Sequence, residues 1–131
     1  MNRFLSAVAS VLAAEILDLD TPFRGVGGWC TPKALALLKM MEMDWDAPIT
    51  MEKLLECNTV RDLWREAFFA LAARIFGVDR ASLDGTTSYE SIPGWDSVNH
   101  LRLVMETERA FGVRYPLERI PSLTTLDDFL V

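Results

Sequence analysis

Gly94-Trp95-Asp96-Ser97-Val98 is the stretch from which the rest of the chain can be read. A glycine and an aromatic residue end a loop, an aspartate and a serine follow, and a long amphipathic segment begins. From Val98 to Gly112 the apolar residues Leu101, Val104, Met105 and Phe111 recur at three- and four-residue steps, with Leu103 between them, which predicts a helix. Gly112 closes that helix, because glycine adopts the left-handed terminal conformation without a steric penalty. Ser97 then falls in the first turn, where unpaired N–H groups and the positive end of the helix dipole favour an anion. Aspartate is a good N-cap, so Asp96-Ser97 also reads simply as a sound helix start.

Upstream, residues 3–17 read as a first helix with Phe4, Leu5, Val8, Val11, Leu12 and Ile16 on its apolar side. Arg3 and the apolar run to Ala14 have the outline of a signal peptide, but Glu15, Asp18 and Asp20 follow at once, and the helix reading is the one adopted. A glycine-rich loop leads to Trp29-Cys30-Thr31-Pro32, where Thr31 suits an N-cap and Pro32 the first helical position. That second helix carries Leu35, Leu38, Met41, Glu42 and Trp45 and stops before Pro48; a short one follows at Met51 to Leu55. Thr59 with Asp62 three residues on marks another start.

The second half lies over the first at a shift of 66 residues without a gap. Thirteen positions are identical, among them Asp18 with Asp84, Gly28-Trp29 with Gly94-Trp95, and Thr59 with Thr125. That is more than background composition supplies, so the chain is an internal repeat. Between Thr59 and Gly77 there is neither glycine nor proline, and helix formers dominate. One helix is expected to run from the first repeat into the second, with a break near Arg65 as the alternative.

The segment around Ser97 resembles the modification site of acyl carrier proteins, an Asp-Ser-Leu motif that opens their second helix. The likeness runs on through Glu108, Phe111-Gly112, Pro116 to Ile120 and Thr124-Thr125-Leu126-Asp127-Asp128-Phe129, and covers roughly Glu66 to Val131. It implies an all-α fold of two acyl-carrier-like four-helix bundles in tandem: 1–65 a degenerate carrier-like domain, 66–131 a carrier domain, joined by a continuous helix around residues 59–76. It implies that Ser97 bears 4'-phosphopantetheine from coenzyme A and holds an acyl, aminoacyl or polyketide group as a thioester, with Asp96 beside the phosphate. It also implies a phosphopantetheinyl transferase and acyl-loading and acyl-transferring enzymes as partners.

The departures from the family are informative. Cys30, Thr31 and Pro32 stand where the second repeat has Asp96, Ser97 and Val98, so Thr31 is expected to stay unmodified and the first repeat to dock a partner or pack on the second. Val98, Arg102, Met105 and Arg109 share one side of the helix by spacing and form the expected recognition face. Fatty-acid carriers usually show acidic residues at the positions of Arg102 and Arg109; the departure suits a dedicated enzyme set, and a solvated helix face is the equal alternative for these arginines.

Composition bounds the alternatives. The net charge is −6, divided as −2 and −4 about Arg65, and no Lys/Arg cluster suits nucleic acid. Cys30, Cys57 and the single His100 offer no metal set and no CxxC pair, unpaired cysteines fit a cytoplasmic setting, and no apolar run is long enough to span a membrane. His100 reads as a polar flank residue, since no acid or nucleophile is placed with it. No triad, metal set or phosphate-binding glycine loop supports an enzyme in its own right. The alternative function is an unmodified pseudo-carrier serving as a scaffold for a biosynthetic complex.

Overall fold

The computed structural model describes residues 3–14 and 17–130. They are mostly helical, with no strand among them: α1 (Arg3–Leu12), α2 (Thr31–Trp45), α3 (Met51–Glu56), α4 (Val60–Phe76) and α5 (Ser97–Phe111), with 3₁₀ turns at Phe23–Gly25, Arg80–Ser82, Leu117–Ser122 and Leu126–Phe129. The chain divides into two compact units, Met1–Ala67 and Phe68–Val131, and the division falls inside the uninterrupted α4.

In the first unit, α1 buries Phe4, Val8 and Leu12, and Phe4 meets Trp45 of α2 edge-on at 5.0 Å. The apolar periodicity extends to residue 17, but the helix stops at Leu12. Ala13 turns into the left-handed region (φ 55°), Ala14 N–H bonds back to the Ala9 carbonyl at 3.0 Å, and Lys33 Nζ donates to the Leu12 carbonyl at 3.1 Å. A charged side chain thus covers a carbonyl that the helix end leaves open. Ile16, expected on the same apolar side, lies outside the described residues. At α2 the N-cap is Cys30 rather than Thr31; its side chain makes no capping bond, and Thr31 and Pro32 are the first helical residues. Proline tolerates that place because its missing N–H is an unpaired one anyway. α3 is capped by Thr50, whose hydroxyl accepts from Lys53 N–H.

In the second unit, α5 turns Leu103, Val104, Thr107 and Phe111 inward. Leu101 was expected in this core and is instead 52% exposed. The 3.6-residue period admits one face only, and the face through 103, 104, 107 and 111 leaves 98, 101, 102 and 105 outside. Thr107 is fully buried, with its hydroxyl donating to the Leu103 carbonyl one turn back. Phe129 closes the core with Phe68 at 5.4 Å and Tyr115 at 5.6 Å, and Phe76 stacks on Trp95 at 5.0 Å. Leu71 is buried, whereas Ile75 and Val78 are only half-buried.

The repeat read from the residues recurs in the hydrogen bonds. An antiparallel bridge joins Pro22 to Thr59, and another joins Ser88 to Thr125. Val60 N–H reaches the Thr21 carbonyl at 3.1 Å as Leu126 N–H reaches that of Thr87 at 3.0 Å. Asp18 N–H and Asp84 N–H each bond the threonine three residues on, at 3.0 Å in both cases. Asp62 and Asp128 each accept two backbone N–H groups. The polar identities at Asp18, Thr21 and Asp62 are thus kept where side chains close loops onto the backbone, bonds that depend on the particular side chain present.

Candidate functional site: the first turn of α5

Asp96 is the N-cap of α5, in extended conformation, and its Oδ1 accepts the Asn99 N–H at 2.8 Å. Asn99 returns the bond, donating Nδ2–H to the Gly94 carbonyl at 2.7 Å. The turn from Gly94 to Asn99 is therefore braced from both ends. Ser97 sits between the braces as the first helical residue, exposed, and its hydroxyl has no partner among the described residues.

A groove of about 520 Å³ begins at Ser97, between the start of α5 and the segment Leu117–Ser122. Trp95, Leu101, Ile120 and Leu123 give it apolar walls, while Tyr89, Asp96, His100 and Thr124 add polar edges. An apolar groove with a few polar groups at its rim is the common form of a small-molecule site. His100 holds the walls together. Trp95 Nε1–H donates to His100 Nδ1 at 3.0 Å, the rings stack at 6.0 Å, and His100 Nε2 lies 2.9 Å from the Ile120 carbonyl. Read from the sequence as a flank residue, His100 is half-buried at the centre of the site. The partner carbonyl lies 20 residues away in the chain, and no local pattern announces it.

Of the residues expected to form a recognition face, Val98 and Met105 are 68% and 66% exposed, and Arg102 and Arg109 project on the same side. Arg109 pairs with Glu106 at 2.8 Å, and Arg102 reaches Asn99 Oδ1 at 3.4 Å. Leu101 belongs to this outer face as well, and Leu117 on the next segment is exposed.

At the matching place in the first unit, Cys30 and Thr31 are exposed and Lys33 is turned to the end of α1. Ala34, buried, stands where the second unit has His100. The glycine and tryptophan remain and the polar set is gone.

Chemically, the arrangement around Ser97 presents a primary hydroxyl at a helix N-terminus beside a carboxylate, with an apolar groove at hand. The Asp96 Oδ1 is engaged by the Asn99 N–H, and both nitrogens of His100 are engaged by Trp95 and the Ile120 carbonyl. Among the described residues no group of three or more His, Cys, Asp or Glu is placed to hold a metal ion, and no helix is long and apolar enough to cross a membrane. No protein-family model, curated protein or solved structure matches the chain.

Proposed function

We propose that this protein is an acyl carrier whose second unit bears 4'-phosphopantetheine on Ser97. The observation that carries the reading is the exposed, unpartnered hydroxyl of Ser97 on the first turn of α5, capped by Asp96 and opening onto a groove. The group fits the residues present. Its phosphate would be favoured at the start of α5, where helix N–H groups suit an anion, and the apolar groove beside Ser97 would be open to its arm. When bound it supplies a thiol that holds an acyl group as a thioester. The chain's own part is to position, expose and be recognised.

In this reading the chain is a tandem of carrier-like four-helix modules in the cytoplasm, 1–65 degenerate and 66–131 functional. Val98, Arg102, Met105 and Arg109 meet the transferase and the acyl-handling enzymes. The first module, with Cys30-Thr31-Pro32 at its helix start, stays unmodified and serves in docking or packing.

The test is the intact mass of the protein after incubation with coenzyme A and a broad-specificity phosphopantetheinyl transferase, for wild type, Thr31→Ala and Ser97→Ala. One added arm is expected in wild type and Thr31→Ala and none in Ser97→Ala. No gain in any of them would replace this reading with that of an unmodified scaffold.

A further inference from the structure

Two hydrogen bonds beside Ser97 pass through one imidazole. An indole N–H only donates and a carbonyl only accepts, so the proton of His100 sits on Nε2, which donates to Ile120, while Nδ1 accepts from Trp95. Trp95 belongs to the loop before α5 and Ile120 to the segment after it. His100 thereby ties both walls of the groove to the helix that begins at Ser97.

The repeat supplies an internal control. In the first unit the scaffold around this position is kept: Trp29 N–H bonds the Val26 carbonyl as Trp95 N–H bonds that of Ile92, and Leu54 is buried where Ile120 stands. The turn after it is closed by the same bond, Cys57 N–H to the Leu54 carbonyl at 3.1 Å against Leu123 N–H to that of Ile120 at 3.2 Å. That backbone forms with Ala34 in place of the histidine. Asp96, Ser97, Asn99 and His100 are replaced together by Cys30, Thr31, Lys33 and Ala34. The histidine therefore goes with the polar set around the hydroxyl and not with the scaffold.

We propose that His100 is a positioning residue: in its neutral, Nε2-protonated form it holds the segment Leu117–Ser122 against α5 and keeps the groove shaped for the apolar end of a group tethered at Ser97. The identity of the occupant rests on the carrier reading; the latch does not.

The experiment uses ¹⁵N-labelled full chain, unmodified, as wild type, His100→Gln and His100→Ala. A glutamine amide offers an acceptor for the Trp95 indole and a donor for the Ile120 carbonyl. His100→Gln should hold the wild-type positions of the Trp95 indole N–H and the 117–122 amides, and His100→Ala should show both displaced. Ser97 is then loaded from hexanoyl-coenzyme A by the same transferase. Amides of Leu101, Ile120 and Leu123 should move on loading in wild type and His100→Gln and stay still in His100→Ala. A His100→Ala variant with wild-type groove signals would overturn the latch. Failure to load Ser97 would overturn the carrier reading and leave the signals of the unloaded variants to judge the latch alone.

Discussion

A Cβ on Gly94 would lie 2.6 Å from the carbonyl oxygen of Phe76, so the loop that leads into α5 passes the end of α4 with room for glycine only. The obstacle is backbone, which cannot swing aside as a side-chain end can. Gly94 also offers the carbonyl that braces Asn99. Gly94→Ala is expected to lose about 1–3 kcal/mol in urea unfolding, the usual cost of overpacking, and to slow modification at Ser97. Gly27→Ala, with nothing within 4 Å of the added atom, is the control and should stay within about 0.5 kcal/mol of wild type.

Asp128 Oδ2 accepts the N–H groups of Thr124 and Thr125, both at 3.0 Å. Partial burial pushes this carboxyl upward, but the backbone donors outweigh it and hold it below its ordinary value. A carboxyl lowered in the folded state stabilises above the unfolded value, about 3.9 for aspartate, and that contribution is lost as pH falls through the folded value. Asp128→Ala is expected to lose about 1 kcal/mol near neutral pH, as for a removed cap, and to show a shallower loss of stability in acid than wild type. Denaturant midpoints across the acid range check both.

Tyr115 is buried, and its hydroxyl donates to the Phe129 carbonyl at 2.6 Å. Burial raises its ionisation well above the ordinary value, the Arg119 charge opposes this and Glu108 adds to it. For a group raised on folding the contribution is full below the unfolded value, about 10 for tyrosine, and disappears as pH rises toward the folded one. Stability should therefore decline in alkali more steeply in wild type than in Tyr115→Phe. At neutral pH the phenylalanine variant should lose about 1–3 kcal/mol, because it leaves a buried carbonyl without its donor.

The two cysteines should separate cleanly in a thiol titration. Cys30 is exposed and Cys57 is buried. Burial, reinforced by the Glu66 carboxylate, pushes the Cys57 thiol up to about 11. The thiolate is the reactive form, so at neutral pH a disulfide reagent should modify Cys30 alone, and Cys57 only after denaturant is added. Cys30→Ser should abolish the fast phase.

The helix starts and stops were legible where a local bond makes them. Gly112 takes the left-handed conformation (φ 69°) that ends α5, and Asp96 caps its start. Thr31 was misread because an N-cap is defined by backbone conformation, and the extended residue there is Cys30. α1 was read too long because apolar spacing says which face is buried and not where the chain turns. Its end depends on the left-handed Ala13 and on Lys33, twenty residues away.

The repeat, the capped turns and the exposed serine at a helix start follow from the order of residues, since capping bonds, proline's fixed φ and glycine's freedom act within a few residues. Whether Leu101 or Leu103 turns inward, and whether His100 is a surface group or a brace, could not be read that way. Both depend on contacts brought together from distant parts of the chain, Phe129 against the core and the Ile120 carbonyl against the imidazole. Burial and a bridging hydrogen bond are properties of the neighbours that folding supplies, and local spacing carries no record of them.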